Sequence, residues 1–119
     1  MKFIEHNFNN TKAIEIVSED VLINSEQDAL DIMANVDYQH NCRKLIVYKK
    51  NICDDFFDLK TGIAGSVLQK FSNYRVQLAI IGDFTNINSK SLNDFIYESN
   101  KNKQVLFLKD VSTAIKKLC

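Results

Sequence analysis

Along the 119 residues the spacing of apolar positions changes several times, and each change marks an element. The stretches "KFIEH" (Lys2 to His6) and "KAIEIVS" (Lys12 to Ser18) read as strands, and the Asn-rich "NFNNT" between them supplies residues that tolerate positive φ. An N-terminal antiparallel hairpin is expected. From Ser25 the period becomes helical: Ala29, Ile32, Met33 and Val36 share one face, Ser25 stands at the cap and Asp28 follows three residues on. That face is expected to lie against a sheet.

Three short, almost continuously apolar runs come next, "KLIVYK" (Lys44 to Lys49), "VQLAIIG" (Val76 to Gly82) and "QVLFLKD" (Gln104 to Asp110). Strands apolar on both faces are what a parallel sheet covered by helices requires. Helical stripes alternate with them: Leu59, Ile63, Val67 and Phe71; then Leu92, Phe95 and Ile96; then Val111, Ala114, Ile115 and Leu118. The expected order is β-β-α-β-α-β-α-β-α, an α/β domain with a mostly parallel mixed sheet, right-handed crossovers and the hairpin as an antiparallel edge. With no proline and no Gly/Ser linker, residues 1–119 are read as a single domain.

Charge narrows the partners. Fifteen basic and fifteen acidic residues balance, which gives no global field for nucleic acid or an anionic membrane. The N-terminus "MKFIEHNFNN" lacks the apolar core of a signal peptide, and no apolar run reaches the roughly 20 residues of a membrane span, so the cytoplasm is the expected compartment. Cys42, Cys53 and Cys119 form no Cys-x-x-Cys pair and read as reduced thiols. His6 and His40 fall in no metal-ligand motif, so neither metal nor cofactor is expected. Lysine far outnumbers arginine, and asparagine and isoleucine abound, a bias common in AT-rich bacterial genomes.

The stretches "DDFFDLKTGIAGSVLQKFSNYRVQLAIIGDF" and "SKSLNDFIYESNKNKQVLF" resemble a family of small single-domain bacterial proteins known as a domain of unknown function, from about Ala13 to Leu118. The run at 56 to 65 carries most of that likeness. In architecture the chain also resembles the STAS domains, the sulfate-transporter and anti-sigma-factor-antagonist fold, whose members are regulatory protein-binding modules. Their switch serine opens the helix after a central strand in an Asp-Ser-Ser-Gly-Leu-Gly type motif. With that motif's glycine on Gly62, Lys60 stands at the phosphorylated serine and Thr61 at the second, a departure that removes the family's acceptor and leaves Thr61 as the substitute.

Gly62 and Gly65 fall inside the stripe from Asp58 to Tyr74, where each costs roughly 1 kcal/mol against alanine in a helix interior. Close approach of the sheet or of a partner's helix is the expected reason. Phe56, Phe57, Phe71 and Tyr74 bracket the same helix, and two adjacent phenylalanines cannot both face inward from one regular helix, so one of Phe56 and Phe57 is expected at the surface or over the core's edge. Lys60, Thr61 and the free amides near Gly62 could hold an anion at the helix start; Asp55 or Asp58 could equally cap it.

Beyond the strand ends, Asp83 with Lys49, Lys50 and Asn51 could form a polar site, or Gly82-Asp83 a tight turn. Ser91 with Asp94 reads as a helix cap, and Asn100 as a left-handed helix end. No catalytic constellation converges by motif. The expectation is a non-catalytic regulatory module docking a protein partner or a second copy through Phe56, Phe57, Gly62, Gly65, Gln69 and Tyr74; the alternative is a small-ligand or anion binder, possibly an enzyme, using Lys50, Lys60, Thr61 and Asp83.

Overall fold

In the computed structural model, which describes residues 1–119, β1 (Lys2–Phe8) and β2 (Thr11–Val17) pair antiparallel with Lys2 opposite Val17 and Phe8 opposite Thr11. Asn9 and Asn10 turn the chain at φ 53° and 60°, the left-handed pair a two-residue hairpin needs. β2, β3 (Lys44–Tyr48), β4 (Gln77–Ile81) and β5 (Val105–Leu108) then run parallel, and the sheet order β1-β2-β3-β4-β5 follows the chain.

Because successive parallel strands are neighbours, right-handed crossovers carry α1 (Glu26–His40), α2 (Ile63–Asn73) and α3 (Lys90–Asn102) to the same face. There Ile14, Ile16, Leu45, Val47, Leu78, Ile80 and Phe107 meet Val36, Val67 and Phe71 in the main core, with Phe95 and Ile96 of α3 packed against it. The other face holds a smaller cluster in which Ala114 and Leu118 of α4 (Val111–Leu118) lie on Ala13, Ile46, Ala79, Ile81 and Leu106. Strands buried on both faces explain the unbroken apolar runs. The chain is therefore an α/β domain with a five-stranded mixed sheet and four helices. No helix is long and apolar enough to cross a membrane.

Local signals set most helix ends, with three corrections. The Ser25 hydroxyl accepts from the Asp28 amide as expected, and the Asp28 carboxylate accepts from the Asn24 amide at 2.8 Å. On α3 the cap is Ser89, accepting from Leu92 at 3.2 Å, not Ser91, which lies inside the first turn. Asn100 does not take the left-handed position, which falls to Lys103 at φ 62°. Its carboxamide accepts from Phe107 N at 2.7 Å and donates to Phe107 O at 3.2 Å, while the Ser99 hydroxyl donates to Val105 O. Outward backbone groups of the β5 edge are thereby closed off by α3.

The third correction concerns the helix expected from Asp58. Between β3 and α2 the chain makes three 3₁₀ turns, Lys49–Asn51, Asp54–Phe57 and Leu59–Thr61, and α2 begins only at Ile63, after Gly62 at φ +80°. Asn51 organises this stretch. Its fully buried carboxamide accepts from Tyr48 N at 3.1 Å and donates to Ser18 O at 2.8 Å and Asp20 O at 2.9 Å, and its carbonyl accepts from Leu22 and Ile23 at 2.7 and 3.0 Å. Irregular backbone near a core needs such partners.

Asn51→Leu removes all three side-chain bonds while keeping the volume. It is expected to lower unfolding stability by roughly 2–4 kcal/mol, read as a drop in the urea midpoint with an unchanged slope. A midpoint within error of the wild type would show that these bonds contribute little.

Candidate functional site

Beyond the carboxyl ends of β3 and β4 lies a groove of about 790 Å³, walled by the β2–α1 connection and the 3₁₀ turns. Tyr48, Lys49, Lys50, Asp54 and Asp83 line it. Lys49 leaves the end of β3 and crosses β4 at Gly82, where an added Cβ would stand 2.7 Å from the Lys49 Cβ. The lysine then spans an aromatic cluster, with Nζ 5.7 Å from the Phe57 centroid, 5.3 Å from Phe84 and 3.1 Å from the Asp83 carbonyl. Gly82 is thus the glycine set by close approach.

Asp83 closes on its own loop. Its carboxylate accepts from the Thr85 hydroxyl at 2.6 Å and the Thr85 amide at 2.9 Å, and these bonds, with the Lys49 charge as a lesser contribution, hold its pKa below the usual carboxylate range. Lys50 pairs with Glu19 at 3.1 Å in solvent. The groove therefore brings Lys50 and Asp83 together, but neither Lys60 nor Thr61 lines it. Thr61 Oγ1 is 2.7 Å from Asp55 O and 2.9 Å from Asp58 O and accepts from Ile63 N at 3.3 Å, a clasp on the turn before α2. Lys60 projects into solvent 4.0 Å from the Asp58 carboxylate.

The other candidate face is α2, and here the glycine reasoning needs correcting. A Cβ on Gly62 or Gly65 would meet no atom of the chain within 4 Å, so neither serves the domain's own close packing. Gly62 is required by its left-handed backbone; Gly65 faces open space. Phe56 is 1 % exposed and Phe57, half-buried, covers the core's edge at a 5.0 Å centroid separation, as expected of the pair, though from a 3₁₀ turn rather than a regular helix. Gln69, whose amide donates to Asn73 Oδ1 at 2.8 Å, and Tyr74, 55 % exposed, remain at the surface.

One polar cluster escaped the sequence reading. Glu15, 7 % exposed on the α4 side of the sheet, pairs with His6 Nε2 at 2.8 Å and accepts from the Tyr48 hydroxyl. Burial, then that hydrogen bond, then the Glu15 charge push the Tyr48 phenol up to about 12. A glutamate in the middle of "KAIEIVS" was the available signal, but its partners depend on strand register.

Compared with known proteins, residues 8–118 match the family described as "Domain of unknown function (DUF4180)". No curated protein and no solved structure matches the chain.

The three glycines give a discriminating series. Gly65→Ala is expected to leave stability unchanged or raise it by up to about 1 kcal/mol. Gly62→Ala should cost about 1 kcal/mol through the left-handed backbone, and Gly82→Ala about 1–3 kcal/mol through the clash with Lys49. Thermal unfolding ranks them, and a destabilised Gly65→Ala would contradict the open geometry at that site.

Ultraviolet titration of the four tyrosines should show one ionising last, near the value of about 12 for Tyr48, and moving down in Glu15→Gln. The folded state holds this proton more tightly than the unfolded chain, whose phenol ionises near 10. Its contribution to stability is therefore complete below pH 10 and lost between pH 10 and about 12.

Proposed function

We propose that this chain, which belongs to the DUF4180 family of unknown function on a match spanning residues 8–118, is a non-catalytic regulatory module that docks a protein partner or a second copy of itself through the outward face of α2. The carrying observation is the distribution of charge over the helices. α1, α3 and α4 all expose charged residues, Asp31, Lys90 and Lys116 among them, whereas the exposed residues of α2 are Gly65, Ser66, Gln69, Ser72 and Asn73, and its one charged side chain, Lys70, is partly buried. A solvated helix face ordinarily carries lysine and glutamate. A face without them loses little hydration when another surface covers it.

Gly65 adds a place where a partner's backbone can come close, and Gln69 and Tyr74 flank it. The likeness to STAS domains supports the same reading: an antiparallel edge hairpin, parallel strands in chain order and a set of crossover helices on one face suit a small regulatory module of the bacterial cytoplasm. At the position of that family's switch, Thr61 uses its hydroxyl to clasp the turn, so phosphorylation there would break the start of α2. Regulation in this chain rests on docking.

A second reading, a small-ligand or anion site, is favoured by the 790 Å³ groove that unites Lys50 and Asp83. Against it, Lys49, Lys50 and Asp83 each already have a partner within the chain.

Photo-crosslinking in cells tests the docking face. A benzoylphenylalanine in place of Gln69 should give a discrete adduct that disappears on adding Gly65→Arg, while the same probe at Lys116 gives none. Sedimentation of the purified protein then tells whether the adduct is a second copy. No adduct at Gln69, or one that survives Gly65→Arg in a folded variant, would overturn the reading.

A further inference from the structure

Tyr74 also borders a second groove, of about 410 Å³, between α1 and the end of α2. Its floor is apolar, formed by Leu30, Met33 and Val76, with Ala34 and Tyr74 exposed at its sides. At one end Arg43 bridges the two helices, reaching the Asp37 carboxylate at 3.6 Å and the Tyr74 carbonyl at 3.5 Å. That volume accepts one or two aliphatic or aromatic side chains, the size of an anchor at a protein interface.

Apart from Arg43, which is spent on Asp37, the charge at the groove comes from the acidic α1 wall. α1 carries Glu26, Asp28, Asp31 and Asp37 and no lysine or arginine. Asp31 stands at the groove, accepts from the Gln27 amide at 2.9 Å and is paired with no cation of the chain. An apolar floor beside the unpaired carboxylate of Asp31 is complementary to a segment with the reverse pattern.

We propose that this groove seats a basic amphipathic helix of a protein partner, an apolar anchor on Leu30, Met33 and Val76 and a lysine or arginine against Asp31. The inference rests on the reading of the chain as a docking module and names the partner's chemistry. A second copy is the poorer occupant, because the chain's own helices with exposed lysines, α3 and α4, already spend Phe95, Ile96, Ala114 and Leu118 on the core.

The probes are two synthetic amphipathic helices, one of leucine and lysine and one of leucine and glutamate, titrated into the isotope-labelled full chain and followed by amide shifts. The leucine–lysine helix is expected to move Leu30, Ala34, Tyr74 and Val76, to bind about tenfold more weakly to Asp31→Lys, and to lose the groove shifts in Ala34→Arg. Leucine–glutamate helix binding of equal strength, or shifts confined to Glu26 and Asp28 away from the groove, would overturn the proposal. Both substituted positions are exposed, so the variants should fold. Gly65→Arg separates the two readings: groove titration intact with the Gln69 adduct gone supports both, intact titration with no Gln69 adduct in any form removes the α2 face alone, and failed titration with the adduct present removes the groove alone.

Discussion

Everything at the carboxyl end of the parallel strands hangs on the buried carboxamide of Asn51. Where β3 ends, the chain crosses the end of the sheet in 3₁₀ turns while the β2–α1 connection passes beside it, and neither segment has a ladder to satisfy its amides and carbonyls. Asn51 supplies that missing pairing to Tyr48, Ser18 and Asp20 through its side chain, and to Leu22 and Ile23 through its carbonyl. The two connections become one wall, joined further by the bridge between Ile23 and Ile52. With that wall in place Lys49 is aimed across Gly82, and Phe56 and Phe57 turn under it into the core. The groove beyond the strands is therefore shaped before any molecule enters it.

The two faces of the sheet solve different packing problems. Three helices fill one face with large side chains, whereas the other is covered by the eight residues of α4, and small residues at Ala13, Ala79 and Ala114 let so short a helix lie close. Burying Glu15 on that side has a desolvation cost that only good partners can offset. His6 and Tyr48 supply them, one from the edge strand and one from the sheet's centre. That polar cluster fixes the hairpin edge to β3 and specifies its register, since a slip by one residue would turn Glu15 to the opposite face.

What could be read from the sequence was what the chain settles locally. The stripe of α4, the Ser25 cap and the paired asparagines of the hairpin each depend on residues a few positions apart, and the α/β class follows from the alternation of apolar runs with helical stripes. The misreadings involve distant neighbours or competing local signals. Ser89 and Ser91 are equally good caps on local grounds, and the chain uses Ser89. A glycine's purpose was not legible at all: Gly82 answers to Lys49 in another strand, whereas Gly62 answers to its own backbone angle and Gly65 to nothing in the chain. Phe56 goes into the core and Phe57 covers its edge, but from a 3₁₀ turn that no helical stripe announces. Glu15 and Asn51 are invisible to periodicity, because their partners come from register and from loops that meet only in the folded chain.

The same contrast separates the two candidate surfaces. At the strand ends the polar groups have been used up by the fold: Asp83 holds Thr85, Lys49 lies over aromatic rings, and Lys50 meets Glu19. A group already satisfied is a poor acid, base or ligand, since any reaction must first break the contact that positions it. On the helical face the opposite holds. α2 offers a strip of exposed uncharged residues, and the adjoining groove along α1 offers an apolar floor beside Asp31, whose carboxylate no internal cation neutralises. Tyr74 belongs to both the proposed contact strip and the groove, so one partner could engage them as a continuous surface. Surplus hydrogen-bonding capacity and uncompensated charge are what the fold leaves for an intermolecular contact, and in this domain they lie on the helices rather than at the ends of the sheet.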